Sequence, residues 1–284
     1  MTIRLVAFDL DGTLLDPFGK LTPRVSDAVA RLAQRDLRIV LCTGRRFRTA
    51  LPHARALGLE GAIIVNNGVV VKDLTSGETL AHAYLPVELG GEVIEHVRVH
   101  GPPLVYVDAY ASGIDILTEG PERAHPFQRE YTDDNLAHIS VVEDLAAARP
   151  EGVIMVSTMA DEGSLAALAA GARERFGARV HTHAIINKNY QGHILEFLSP
   201  EAGKWQTLAK LAASWGIAPE EMAGVGDDAN DAEVLQRVGL GIAMGNALPA
   251  VRESADLVVT SNAEGGAVEA VERILALLQG GAAV

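Results

Sequence analysis

The sequence predicts an α/β protein: a doubly wound, parallel, Rossmann-like core with an inserted α+β cap. Three observations predict it. Short, almost wholly apolar runs alternate with helix-spaced amphipathic segments near the amino terminus. The same alternation returns over the last third of the chain. The stretch between them loses that rhythm and mixes strand-like runs with a long polar, proline-containing segment.

Taken in order, residues 3–8 form an almost wholly apolar run ending at Asp9, as expected of a strand buried on both faces. In 22–35, Val25, Ala28, Val29 and Leu32 recur at helical spacing behind Thr22 as N-cap and Pro23 at the first helical position. Residues 37–42 read as a second buried strand, and 45–57 as a helix stopped by Gly58. A third strand, 62–65, is closed by Asn66-Asn67-Gly68. This β-α-β-α-β order implies right-handed crossovers and a parallel sheet. Late in the chain, 204–215, 230–238, 247–254 and 264–278 read as helices, and 222–225, 240–243 and 257–259 as strands. The middle holds a helix running to His100, strands at 104–107 and 114–117, a polar stretch at 121–134, a strand at 153–158, a helix at 162–176 and a strand at 179–182. The core is therefore expected at 1–83 and 190–284, and the cap at 84–189.

With 284 residues, 48% hydrophobic and 21% charged, the chain can bury a sizeable core. Lys+Arg 24 against Asp+Glu 37 leaves −13, which argues against nucleic acid or an anionic membrane as partner. The single cysteine, Cys42, rules out an internal disulfide and a multi-cysteine zinc site. The start lacks a signal-peptide layout, and no apolar run approaches the roughly 20 residues that span a bilayer. A soluble cytoplasmic protein is expected.

Four segments carry chemistry. Asp9-Leu10-Asp11-Gly12-Thr13 ends the first strand, and extended geometry points residues i and i+2 to one side. Two carboxylates crowded at the carboxyl edge of a parallel sheet suggest a hard metal ion, a shared proton, or both. A solvated Asp-Gly turn explains the same residues equally well. Thr43-Gly44-Arg45-Arg46 ends the second strand, where a hydroxyl and backbone N–H groups can hold a phosphate, although a plain N-cap suffices in isolation. Lys204 opens a helix after Pro200-Glu201-Ala202-Gly203, and alone it is an ordinary surface charge. Gly224-Val225-Gly226-Asp227-Asp228-Ala229-Asn230-Asp231 superficially meets the dinucleotide pattern. Acidic side chains would sit where a pyrophosphate must approach, so that reading is rejected. Three Asp residues after a buried strand suit Mg²⁺ instead.

Together, in this order, the four segments resemble the haloacid dehalogenase superfamily, and within it the Cof-type sugar-phosphatase-like branch. The resemblance extends through LCTGRR at 41–46, NNG at 66–68, LEFLSPEAGK at 195–204, GVGDDANDAEVL at 224–235 and AMGNALPAVRESADLVVTSNAEGG at 243–266. The inserted domain looks like the family's C2-type cap in its larger, C2B-like form. The resemblance implies a phosphatase acting on a small phosphorylated metabolite through an aspartyl-phosphate. It makes Asp9 the nucleophile and Asp11 the acid that protonates the leaving oxygen, then the base that activates water. Thr43, Gly44, Arg45, Lys204 and Asn230 would bind phosphate or substrate. Asp9, Asp227 and the Asp11 main-chain carbonyl would hold Mg²⁺, with Asp231 supporting from behind. Asp228 would be solvated.

Two rivals accompany this reading: a phosphomutase, which returns the phosphoryl group to the sugar, and a receiver-type signalling module that stores it on Asp. Other candidates are weaker. His96 and His100, four residues apart on one helix, could pair on a metal, but no third ligand stands near them, so a solvated helix is expected. His181, His183, Asn187 and Lys188 lie near the end of the insertion. Asn67 is a candidate substrate contact, Cys42 is expected buried and inert, and Trp205 and Trp215 are expected to pack.

Overall fold

Leu5, Val6, Ala7 and Phe8 are all buried, and as β1 (Leu5–Phe8) they pair in parallel with a strand on either side. A strand flanked on both edges and covered on both faces has no use for polar side chains, hence the unbroken apolar run. The computed structural model describes residues 2–187 and 192–280. It divides the chain into Met1–His82 with Gly203–Val284, and Ala83–Ala202.

After β1 comes α1 (Pro23–Ala33), started by Thr22, whose side chain accepts from the Val25 amide. It buries Val25, Ala28, Val29 and Leu32, the stripe visible in the sequence. β2 (Arg38–Leu41) and α2 (Phe47–Ala56) follow. The helix begins two residues later than the sequence suggests, which leaves Arg45 in the loop at the end of β2.

The third strand departs from expectation. β3 (Ala62–Val65) is paired with the end of β2 by no more than an isolated Cys42–Ile64 bridge, beside a Thr43 N–H···O Ile64 bond of 3.0 Å. It instead opens a three-stranded antiparallel sheet with β4 (Val70–Asp73) and β5 (Thr79–His82). The reason is local. Asn66, Asn67 and Gly68 all have positive φ, and three such residues in a row reverse the chain onto itself.

The second unit contains α3 (Val87–Arg98), β6 (Leu104–Val107), β7 (Ile116–Thr118), α4 (Pro126–Asp134), β8 (Ile139–Val141), α5 (Leu145–Ala148), β9 (Val153–Ala160), α6 (Glu162–Phe176), β10 (His181–Asn187) and β11 (Gly192–Leu198). Its six strands run in the order β10-β11-β9-β6-β7-β8, antiparallel except for β7 and β8. Val93, Ile94 and Val97 of α3 and Leu165, Leu168 and Phe176 of α6 share a buried cluster with Val105, Val156, Leu195 and Phe197 of the sheet. Two sequence expectations need correction. The unit ends at Ala202 rather than 189, because β11 pairs with both β9 and β10 and so belongs to this sheet. The polar stretch 121–134 contains the helix α4, which buries Gln128, Tyr131 and Thr132 rather than an apolar stripe.

The chain then returns to the first unit with α7 (Lys204–Ser214), β12 (Met222–Gly226), α8 (Ala232–Arg237), β13 (Leu240–Ala243), α9 (Pro249–Glu253), β14 (Leu257–Val258) and α10 (Gly266–Leu278). The main sheet reads β14-β13-β12-β1-β2 and is parallel throughout, as the doubly wound pattern requires. The strands nearest its middle, β12 and β1, end at Gly226 and Phe8. The acidic motifs begin one residue beyond each. Among the described residues no helix is long and apolar enough to cross a membrane.

Candidate active site

Asp9 follows β1 and is tied to β12 by its amide, which donates to the Val225 carbonyl at 3.0 Å. The next five residues make a wide turn closed by a 2.9 Å bond from the Leu15 amide to the Leu10 carbonyl. Gly12 has φ +80°, and a Cβ there would lie 2.1 Å from an Asp227 carboxylate oxygen. Only glycine lets the two acidic loops approach this closely. The turn aims the Thr13 hydroxyl at Asp227 Oδ1, 2.8 Å away. Asn246 bridges the same two loops, donating to the Gly12 carbonyl at 2.9 Å and to Asp227 Oδ2 at 3.2 Å.

Lys204 is the first residue of α7 and is buried. Its Nζ lies 2.7 Å from Asp9 Oδ1 and 2.7 Å from Asp231 Oδ1. Asp231 Oδ2 accepts the amides of Asp227 and Asp228 at 3.1 Å each, which stiffens the loop after β12. The start of α7 is held against the NNG turn. A Cβ on Gly68 would fall 2.2 Å from the Gly203 carbonyl, and the Thr207 hydroxyl donates to the Gly68 carbonyl at 2.6 Å.

The second strand supplies the remaining groups. Thr43 is buried, and its hydroxyl oxygen accepts the Arg45 amide at 3.1 Å, leaving its own proton to donate. Arg45 turns its Nε and one terminal nitrogen onto the two oxygens of Asp11, at 2.6 and 2.7 Å. The Asp11 side chain is 55% exposed and lies outside the buried acidic group. Asn230 donates to Asn67 Oδ1 at 2.8 Å, while its own Oδ1 is buried without a partner among the described residues.

A family model for haloacid dehalogenase-like hydrolases matches residues 6–271. The chain belongs to the haloacid dehalogenase-like hydrolase family. It is 31% identical over 250 residues to the HMP-PP phosphatase of Serratia proteamaculans, covering 88% of this chain and 86% of that protein. It is 28% identical over 271 residues to the pyridoxal phosphate phosphatase of Escherichia coli, covering 92% and 95%. The fold matches a haloacid dehalogenase-like hydrolase from Bacteroides thetaiotaomicron with TM-score 0.81 and 26% identity, over 96% of this chain and 100% of that one.

In this haloacid dehalogenase-like hydrolase, Asp9, Asp227 and Asp231 each place a carboxylate oxygen within 4.8 Å of the others. Each like-charge pair at that spacing costs on the order of 3 kcal/mol at an effective dielectric of about 20. Lys204 offsets Asp9 and Asp231 directly but does not touch Asp227. Burial pushes the Asp227 carboxyl up to about 7 against the Thr13 hydrogen bond, and Asp231 and Asp228 add to the rise. Burial also raises Asp9 well above the usual carboxylate range; Lys204 opposes this, while Asp231 and Asp227 reinforce it. Burial alone would lower Lys204, but Asp231 and Asp9 raise it and keep it charged. Removing one partner of such a buried pair costs about 3–5 kcal/mol.

The geometry thus gathers Asp9, Lys204, Asp227 and Asp231 into one cluster, pairs Arg45 with Asp11, and sets Asn230 on Asn67. Gly44 is exposed, and a Cβ on it would meet Asn67 Oδ1 at 2.8 Å. Asp228 is exposed. Thr13, Asn246 and His53 are site residues that sequence reasoning missed. Thr13 sits inside the DGT motif and Asn246 inside the run at 243–266, and both could have been read from them, whereas His53 carries no local signal. Among the weaker candidates, His96 bonds the Leu168 carbonyl and packs edge-on to Phe176 and Phe197, while His100 is exposed. His183 pairs with Glu196 across β10 and β11, and His181 neighbours it on β10. Lys188 lies outside the described residues. Burial raises the Cys42 thiol, so it is inert. Trp205 and Trp215 pack against the core of the first unit.

Proposed function

We propose that this hydrolase cleaves a small phosphate monoester through an aspartyl-phosphate on Asp9, with Mg²⁺ completing the site. The observation that carries the reading is the charge imbalance: three converging carboxylates, one ammonium, and an Asp227 carboxyl that burial, reinforced by Asp231 and Asp228, raises to about 7. An all-oxygen donor set with excess negative charge fits Mg²⁺. Asp9, Asp227 and the Asp11 main-chain carbonyl would hold it. When bound, it screens the approach of an anionic phosphate to Asp9 and stabilises charge on the transferred group.

Lys204 takes Asp9 Oδ1, and the described residues donate no hydrogen bond to Oδ2, which is the oxygen that attacks phosphorus. The ester P–O bond breaks, and the leaving oxygen takes its proton from Asp11, which at this step carries that proton on one oxygen and keeps Arg45 on the other. A water then loses a proton to Asp11 and attacks the acyl phosphate, freeing inorganic phosphate and restoring Asp9. Thr43, the Gly44 amide, Lys204 and Asn230 hold phosphoryl oxygens, and Arg45 uses the donors that Asp11 does not occupy. Asp231 fixes Lys204 and the loop after β12. In this reading the chemistry belongs to 1–82 and 203–284, and 83–202 selects the substrate. The setting we propose is cytoplasmic, in keeping with one buried thiol.

Phosphate release from a panel including pyridoxal phosphate, HMP-PP and sugar phosphates, with and without chelator, tests the reading. Turnover should vanish in excess chelator and return with Mg²⁺, whereas full activity in chelator removes the metal from the proposal. An isomeric phosphosugar in place of free phosphate would make the enzyme a mutase.

A further inference from the structure

Arg45 carries five N–H donors in one plane. Two grip Asp11 and one is directed elsewhere: the second terminal nitrogen lies 3.0 Å from His53 Nε2. Arg45 sits in the loop after β2, and His53 lies in the second turn of α2. The loop residue is therefore held from the rigid helix as well as by the carboxylate. An arginine never gives up its charge, so His53 Nε2 must accept, and the ring must be neutral with its proton on Nδ1. Burial, and then Arg45, lower the pKa of His53, against a smaller pull from Asp11, in keeping with a neutral ring.

We propose that His53 is a positioning residue: its Nε2 anchors the Arg45 guanidinium, and through that guanidinium it sets where Asp11 presents its carboxyl group. The need follows from exposure. More than half of the Asp11 side chain is open to solvent, and its carboxylate accepts only from Arg45 among the described residues. A proton carrier on a solvated loop gains its orientation from that one fork. A fork on a long, flexible side chain is only as fixed as its other attachment. His53 supplies that attachment, and two further N–H donors of Arg45 remain for an incoming phosphate.

This inference rests on the acid–base role given to Asp11 above, and its test separates the two. The quantity to measure is kcat/KM for an alkyl phosphate, whose leaving oxygen needs a proton, divided by that for p-nitrophenyl phosphate, whose leaving group does not. Phosphate binding is common to both esters and cancels in the ratio. His53→Ala should lower the ratio about tenfold, since small misplacement of a catalytic group costs one to two decades. His53→Gln, whose carbonyl oxygen can accept from Arg45, should restore most of it. Asp11→Asn should lower the ratio further. An unchanged ratio in His53→Ala beside a lowered one in Asp11→Asn overturns the positioning role alone. An unchanged ratio in Asp11→Asn overturns the acid–base reading and this inference with it. Independently of activity, nitrogen-15 NMR of the wild-type imidazole should show Nδ1 protonated and Nε2 bare at neutral pH; a protonated Nε2 overturns the anchor.

Discussion

The two units treat buried polar groups in opposite ways. In the second unit, Gln128 is buried in α4 and satisfied at both ends: it donates to the Pro102 carbonyl at 2.6 Å and accepts the Met159 amide at 2.9 Å and the Thr158 hydroxyl at 3.2 Å. Its amide is consumed in joining a helix to a sheet. In the first unit, Asp9, Asp227 and Asp231 converge on Lys204, and among the described residues Asp227 forms no ion pair. Such an imbalance costs stability unless something outside the chain relieves it. On the proposed reading, the contrast separates polar groups that serve the fold from polar groups that serve a ligand.

The largest effect should come from the nucleophile. Asp9→Asn should lower turnover by about 10⁴-fold or more. After brief incubation with an aryl phosphate, intact mass should show one phosphoryl group on Asp11→Asn and none on Asp9→Asn. Equal labelling of the two would place the nucleophile elsewhere and leave the buried cluster a structural feature like Gln128.

The pH dependence of metal stabilisation sharpens the contrast next. In the metal-free protein the folded pKa of Asp227 is about 7, above the ordinary carboxylate value near 4. Folding therefore takes up a proton there. The stability this contributes is fully present below about pH 4 and is lost as pH rises through 7. On the proposed reading Mg²⁺ would take the place of that proton, so it should raise Tm more at pH 8 than at pH 6, and Asp227→Asn should flatten the difference. A Mg²⁺ response equal at both pH values would mean that the chain compensates its own cluster.

The smallest effect belongs to the second unit. Gln128→Ala strands a buried carbonyl and a buried amide, and should cost about 1–3 kcal/mol in a urea titration. The folded variant should keep its kcat/KM for p-nitrophenyl phosphate. A catalytic loss in the folded variant would mean that Gln128 serves the chemistry as well as the fold.

Much of this was legible before any coordinates. The runs at 5–8, 222–225 and 240–243 read as strands of a covered parallel sheet, because their side chains offer nothing polar to water. Asp9 and Asp227 could then only stand at strand ends. Less visible was α4, since Gln128, Tyr131 and Thr132 bury polar side chains and give no apolar period. The strand at 192–198 was not read from the sequence, since His193 and Glu196 break its apolar run, and so the end of the insertion was placed too early. The reversal after β3 was signalled by Asn66-Asn67-Gly68, yet a turn signal does not say which strand the chain will pair with next.

The sequence by itself determined the fold class, the acidic strand ends and the helix that begins at Lys204, because burial and backbone geometry act over a few neighbouring residues. It could not determine that one lysine serves Asp9 and Asp231, that Asn246 clasps the two acidic loops, or that His53 stands behind Arg45. Those contacts join groups 195, 27, 19, 234 and 8 positions apart. Their distances follow from how strands and helices stack, and no local preference of a residue encodes that.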